Sequence, residues 1–343
     1  MAAVVGIQEQ RGWAVFALRT LAVATCYYAA GRLGLLCRLT VEGAVFTPIY
    51  PPTGVALACL LVFGLGCWPG VTLGAFFLVL SLGTPGPDAL GILLGNTAGP
   101  VCAYLMLRRV GFGTDLGRLR DGLALVFLGA LAAMMISSTV DVVTLILAGK
   151  LTATQFWPIW LVWWVGDAMG VLIVTPVLLV LFEARGLPSL ARWKEALALA
   201  VVAAVLVPVA TRSSMSALFL VYPLLIWAAL RFRLAGSMLC ALFASVMAAV
   251  AATQGVGAFA RLSPVEVMLK LQLFNGALAL TALLLSAVIT EQHNTRMSVE
   301  EACQELAEAL EHLSAHDHPA GRAPPEAEEL RRAEELRRAR DER

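Results

Sequence analysis

Residues 157–182 read WPIWLVWWVGDAMGVLIVTPVLLVLF, twenty-six positions that carry a single charge, Asp167. A run of that length exceeds the roughly 20 residues that take a helix across a bilayer's hydrocarbon core. Backbone N–H and C=O groups left unpaired in hydrocarbon cost several kcal/mol each, so only helices or a closed barrel can span it. Long apolar runs without in-out alternation exclude the barrel. Working outward, similar runs bounded by charge, Pro or Gly fall at about 13–31, 54–66, 69–82, 89–107, 122–148, 196–211, 217–230, 235–253 and 267–289. The fold class expected is all-α, a polytopic transmembrane helical bundle. Segments 54–66 and 69–82, broken by Trp68-Pro69-Gly70, are short for independent spans. The bundle therefore has either eight spans plus a re-entrant hairpin, or ten spans.

Composition agrees with a lipid solvent. Hydrophobic residues make up 59% of the chain and the mean hydropathy is +0.80, against roughly 45–50% apolar usage in soluble proteins. Charge is partitioned sharply, with 25 charged residues in the 277 positions from 13 to 289 and 22 in the 54 positions from 290 onward. The formal charge of +1 divides into +7 for residues 1–289 and −6 for the tail. An acidic tail argues against nucleic acid or anionic lipid as its partner. The seven cysteines are scattered, odd in number and mostly inside apolar runs, so they read as small hydrophobes and not as a disulfide framework or metal pair. The first twelve residues lead into an apolar run with no small-residue cleavage site, so residues 13–30 read as a retained first span.

Orientation follows from basic residues. With the N-terminus in the cytoplasm, the inner connections hold Arg108, Arg109, Arg118, Arg120, Arg185, Arg192, Lys194, Arg231 and Arg233. The outer ones hold Arg32, Arg38, Lys150, Arg212 and Arg261. The positive-inside rule then sets both termini in the cytoplasm. The longest outer connection, 32–53, is too short and too apolar for a receptor domain, so a stimulus is met within the membrane or at its face.

Past residue 289, Val299, Cys303, Leu306, Leu310 and Leu313 recur at spacings of four, three, four and three, a heptad seam along which two copies could pair. Pro319, Gly321, Pro324 and Pro325 break the following stretch, and a repeated Glu-Glu-Leu-Arg-Arg-Ala ends the chain in charged, low-complexity helix. The division expected is a cytoplasmic N-terminus (1–12), an integral membrane sensor domain (13–289), a heptad signalling helix (290–314), a linker (315–325) and a charged helix (326–343).

Polar groups inside apolar runs are the ones whose burial demands a reason, because an ionised side chain at the bilayer centre costs about 3 kcal/mol on insertion scales and more by other estimates. Asp167 sits mid-span between Gly166 and Gly170. It reads either as a ligand, proton or cation site, or as a buried ion pair or a cap on a broken helix. Asp141 lies in 122–148 and Arg19 in the first span, where pairing with one of the aspartates would make each tolerable. Asn96, in Gly95-Asn96-Thr97, suits interhelical hydrogen bonding as well as ligand contact. Pro51, Pro52, Thr53 and Gly54 combine missing donors with a permissive backbone, the make-up of a binding-site wall or of a helix start. All four histidines lie in the tail; His312, His316 and His318 are spaced for a weak metal cluster but read better as hydrophilic linker. No phosphate loop, Ser-His-Asp set or metalloprotease motif occurs. No enzyme activity, metal or cofactor is expected.

The run Tyr50-Pro51-Pro52-Thr53-Gly54-Val55-Ala56-Leu57-Ala58, followed by Trp68-Pro69-Gly70 and Leu73-Gly74-Ala75-Phe76, resembles the first type of membrane-associated sensor domain, the MASE family. Gly95-Asn96-Thr97, Trp163-Trp164 through Gly166-Asp167, Thr175-Pro176 and Trp227-Ala228-Ala229-Leu230-Arg231 agree with it, so the likeness covers about residues 13–290. The resemblance implies a bacterial inner-membrane sensory module of the kind found in front of histidine kinase, diguanylate cyclase or phosphodiesterase domains, hence two-component or cyclic di-GMP signalling. It also implies sensing roles for Pro51, Pro52, Thr53, Gly54, Trp68, Pro69, Asn96, Gly166 and Asp167, with Trp163 in the same block; Asp141 stands on burial physics alone. No Gly-Gly-Asp/Glu-Glu-Phe and no kinase box follows, and 54 residues leave no room for either. The expectation is thus a sensor of a small ligand that signals through residues 291–343 to a cytoplasmic protein, with a homodimer open. The alternative is an ion-coupled membrane transporter, although no second copy of the Pro-Pro-Thr-Gly to Trp-Pro-Gly unit is visible.

Overall fold

The computed structural model describes residues 2–41, 44–183, 192–213, 217–316, 329, 332–335 and 337–338. The expected polytopic helical bundle is what it shows: eight described helical stretches are long and apolar enough to cross a membrane. They are built from α1 (Ala2–Gly34), α3 (Trp68–Leu82), α4 (Asp88–Arg109), α5 (Leu119–Ala124), α6 (Ala133–Leu147), α7 (Phe156–Met169), α8 (Thr175–Glu183), α9 (Trp193–Arg212), α10 (Val221–Thr253) and α11 (Pro264–His316). Two of the stretches contain π-helical turns, Leu125–Ala132 between α5 and α6 and Gly170–Val174 between α7 and α8. Such turns insert a residue into the i→i−4 ladder and favour functional sites. The large buried cluster is mostly aliphatic, and many large side chains such as Leu94, Phe127 and Val205 are exposed, as a lipid-facing surface requires.

The ambiguous region after α1 is neither a simple hairpin nor two full spans. A 3-10 turn at Leu35–Cys37 leads into two three-residue antiparallel strands, Leu39–Val41 and Ala44–Phe46, paired Leu39↔Phe46. Strands were not expected in this connection. Thr47–Tyr50 then runs without helix to α2 (Pro51–Phe63), whose 13 residues extend roughly 20 Å at 1.5 Å per residue, short of a full crossing. Prolines in its first turn cost no hydrogen bond, because those N–H groups have no helical acceptor. Helix α3 with its leading 3-10 turn, Leu65–Leu82, is long enough by itself. It runs alongside α1 in the same direction, since Gly70 abuts Thr20 and Gly31 abuts Leu78.

The helix α10 doubles back on itself. Arg233 has φ 52° and ψ −139°, outside the helical region and in one that a side chain rarely adopts. Arg231 pairs with Glu195 near the start of α9, whereas Arg212 at its end hydrogen-bonds Gln254. Because Ala217 follows Arg212 by only five residues, the first arm must run back along α9 and the second must return. The carbonyl of Ala228 lies within 3.0 Å of where a Gly236 side chain would begin, a closeness that eight residues of straight helix forbid. The two apolar segments 217–230 and 235–253 are therefore separate arms.

The chain divides into two compact units, Met1–Glu291 and Gln292–Arg343. In the second, every described side chain is exposed, including Val299, Cys303, Leu306 and Leu310. The Leu313 side chain, the Pro-rich breaker after position 316 and most of 326–343 lie outside the described residues.

The reversal in α10 predicts that single cysteines placed at 233 and 254 in a cysteine-free background react with membrane-impermeant maleimide from opposite faces of the membrane. Labelling of both from one face would mean the turn is absent.

Candidate functional site

The break at Thr47–Tyr50 creates the site. Its backbone has no helix to satisfy it, and α7, α11 and the first turn of α2 take over that task. The Tyr50 N–H donates to the Gly166 carbonyl at 3.0 Å. The Thr53 hydroxyl is shared between the carbonyls of Tyr50, at 2.8 Å, and Asp167, at 3.1 Å. The Thr175 hydroxyl donates to the Gly54 carbonyl at 3.1 Å. This proximity requires glycine on both sides: a Cβ on Gly170 would collide with the Tyr50 carbonyl oxygen, and one on Gly54 would collide with that of Gly170. Pro52, Thr53 and Gly54 are fully buried at this joint.

Beside the joint the bundle gathers its buried polar side chains. Tyr27 of α1 donates its hydroxyl to Asn96 Oδ1 of α4 at 2.9 Å. Asn96 in turn donates through Nδ2 to Asp141 Oδ2 of α6 at 3.3 Å and to the Ile92 carbonyl at 3.0 Å. Asp141, 5% exposed, and Asp167, 7% exposed, lie close enough for each other's charge to matter, and both also face Tyr27 and Tyr50. Asp141 Oδ1 rests against the bare Cα of Gly95, where a Cβ would overlap it, and accepts no hydrogen bond. The hydroxyls of Ser137 and Ser138 are also buried without partners; that of Ser137 neighbours the Asp167 carboxyl without forming a bond of ordinary geometry.

Arg19 is not the counter-ion of either aspartate. Its guanidinium lies over the Phe63 ring at 5.5 Å, at the far end of α2, and among the described residues no basic group pairs with Asp141 or Asp167. The reason is vertical separation: Arg19 precedes Tyr27, the α1 residue level with the centre, by two helical turns.

Of the residues singled out from sequence, the structure brings together Pro51, Pro52, Thr53, Gly54, Asn96, Asp141, Gly166 and Asp167. Trp68 and Pro69 stand apart at the start of α3, with Trp68 48% exposed. Trp163 packs in a separate small cluster with Val142, Ile159 and Trp160. His312 is an exposed residue of α11, and His318 lies outside the described residues. Among the described residues no three His, Cys, Asp or Glu side chains are grouped to hold a metal.

Sequence reading missed Tyr27, Ser137 and Ser138, and it missed two amides on α11. Gln272 donates Nε2 to the Pro48 carbonyl at 3.1 Å, which ties α11 to the break. Asn275, fully buried, leaves both ends of its amide without a partner. An amide inside an otherwise apolar span was the signal available for both.

Removing Asn96 strips a partner from Tyr27 and from Asp141 together, whereas Tyr27→Phe removes only a donor. Asn96→Leu is therefore expected to destabilise the detergent-solubilised protein by about 2–4 kcal/mol and Tyr27→Phe by roughly 1 kcal/mol. Denaturant titration checks the order; equal losses would mean that Asn96 does not bridge the two.

A family model described as MASE1 matches residues 19–293. No curated protein and no solved structure matches the chain.

Proposed function

The chain belongs to the MASE1 family of membrane-associated sensor domains, and from that footing we propose that it detects a ligand at the buried centre around Asp141 and Asp167 and passes the change along α11 to a cytoplasmic signalling protein. The observation that carries this reading is the Gln272–Pro48 hydrogen bond, because it joins the helix leading to the tail directly to the broken segment that forms the site. A second tie supports it. The Leu119 N–H, at the start of the helix that continues to Asp141, donates to Glu291 Oε2 of α11 at 3.0 Å. A ligand that repacks α6 against α7 thus meets α11 at two levels.

In this reading the membrane is the bacterial inner membrane with both termini cytoplasmic, no reaction is catalysed by the chain itself, and the output is a two-component or cyclic di-GMP protein. Signalling passes through residues 291–343. The exposed heptad positions Val299, Cys303, Leu306 and Leu310 are then a coiled-coil seam between two copies. Like charges do not oppose this, because Glu301, Glu305, Glu308 and Glu311 occupy outward heptad positions while Ala302, Ala307 and Ala309 flank the seam. Transport remains a second reading for one reason: a half-length helix that begins from extended backbone inside the bundle also suits ion-coupled carriers. Solute flux into proteoliposomes, unaltered by removal of 291–343, would favour it.

Asp167→Asn is expected to insert and accumulate normally while changing the response of the co-purifying cytoplasmic partner, and Gln272→Leu is expected to leave the centre folded but uncouple it. If both variants signal as the parent does, the centre is not the sensor. For the seam, mild oxidation of membranes is expected to give a covalent dimer through Cys303, lost in Cys303→Ser and in Leu306→Lys; a monomer throughout would rule out pairing along this face.

A further inference from the structure

We propose that Asp141, together with the Ser137 hydroxyl one turn earlier and the Asp167 carboxyl facing it, binds a sodium-sized monovalent cation inside the bundle. The inference rests on the sensor reading and names the ligand class of its site.

Charge is the first argument. Two carboxyl groups share an apolar interior in which no described basic side chain pairs with either. An isolated ionised carboxylate there costs at least about 3 kcal/mol, and a second like charge beside it adds to that. Something positive must enter with them.

The unmet oxygens say what kind. Asp141 Oδ1, Ser137 Oγ and Ser138 Oγ are each buried without a hydrogen-bond partner, and all three lie within one turn of α6. A proton on Asp141 can serve only one of these oxygens, whereas a cation collects several oxygen ligands together. The available donors are all oxygen, which suits a hard ion. With one of the two carboxyls protonated, the single charge left matches a monovalent ion, and no described group of three His, Cys, Asp or Glu side chains gathers further ligands for a divalent one. A monovalent ion needs only one formal charge and neutral oxygens around it.

Space and neighbours are consistent with this. Gly95 gives Asp141 Oδ1 room that any Cβ would fill. Asn96 occupies Oδ2, which leaves Oδ1 as the oxygen of Asp141 without a partner. The titratable groups facing the site are Tyr27 from α1, Tyr50 from the broken segment and Asp167 from α7, none of them cationic. The π turn at Gly170–Val174 and the break at Thr47–Tyr50 place irregular backbone at the same level, the setting in which carriers hold sodium.

The test uses the full-length protein in lipid nanodiscs, with NaCl replaced stepwise by choline chloride at constant ionic strength and fixed pH. Sodium is expected to raise the melting temperature saturably, by about 3 °C or more. It is also expected to shift tryptophan emission, because the Trp160 and Trp164 indoles hydrogen-bond Thr139 and Leu131 beside the site. Asp141→Asn should lose both effects and Ser137→Ala should weaken the apparent sodium affinity about tenfold; if Asp141→Asn does not fold, the Ser137→Ala shift decides. Insensitivity of the parent to sodium, undiminished sensitivity in the variants, or a response to pH alone would overturn the assignment. The sensor reading fails separately: sodium stabilisation with unchanged signalling by Asp141→Asn keeps the site and removes its role, whereas altered signalling by Asp167→Asn in a sodium-blind protein does the reverse.

Discussion

The structure depends on satisfying the backbone of Thr47–Tyr50 away from water. Inside a bundle of apolar helices an unpaired amide costs several kcal/mol, and this stretch has no helical ladder of its own. Four local arrangements meet the demand. The Tyr50 N–H reaches Gly166, its carbonyl takes Thr53, the Pro48 carbonyl takes Gln272, and Pro51 and Pro52 have no N–H to satisfy. Two of these, the bonds to Gly166 and from Gln272, need α7 and α11 in contact with the break. That requirement explains the glycines at 54, 166 and 170, and it fixes where the remaining helices can lie.

Once α7 is held against the break, Asp167 has little choice of neighbours. Its own carbonyl is engaged by Thr53, and its carboxyl is turned toward α6, where Ser137 and Asp141 stand one turn apart. Asn96 and Tyr27 then extend the polar set across α4 and α1, so that four helices contribute to one buried centre. The π turns in the α5–α6 and α7–α8 stretches belong to this arrangement: an added residue per turn shifts the register of the following helix, which lets both the polar face and the apolar core be buried.

Much of this was legible in the chain. Runs of apolar residues mark nearly every helix within a few positions because a span is a length-and-composition signal. Asp167, Asn96 and the Pro51–Gly54 block were conspicuous because each breaks such a run. What could not be read was pairing. Arg19 looked like the counter-ion to a buried aspartate since both are rare in hydrocarbon, but a linear sequence carries no depth register between helices, and Arg19 sits two turns away beside Phe63. Trp68 and Pro69 shared a motif with the central residues and ended at the other end of α2. Ser137 and Ser138 are ordinary in a membrane helix and gain meaning only from lacking partners. The connection between 217–230 and 235–253 was legible from Arg231 and Arg233; what was not legible is that its turn falls on Arg233 itself, a residue with a side chain and not a glycine.

The two ties on α11 constrain how any change at the centre can leave it. Gln272 and Glu291 are 19 residues apart, roughly 28 Å along a helix, and they hold the same rod to different things. One grips the break and the other the amino end of the helix that bears Asp141. A helix is stiff over that length, so displacement of either anchor without the other must tilt or rotate the rod, while displacement of both slides it. Between the ties, Ser286 is hydrogen-bonded with Ser237 of the second α10 arm, and Leu283 and Ala287 pack near Gly122, so the rod is also held from the side. Asn275 lies on this stretch with its amide unmatched, and a rotation that brought it to a partner would gain a hydrogen bond that the present arrangement lacks. In the proposed function, a rearrangement of charge at Asp141 and Asp167 leaves the centre as a turn of α11 about its own axis, resisted or released at these two ties.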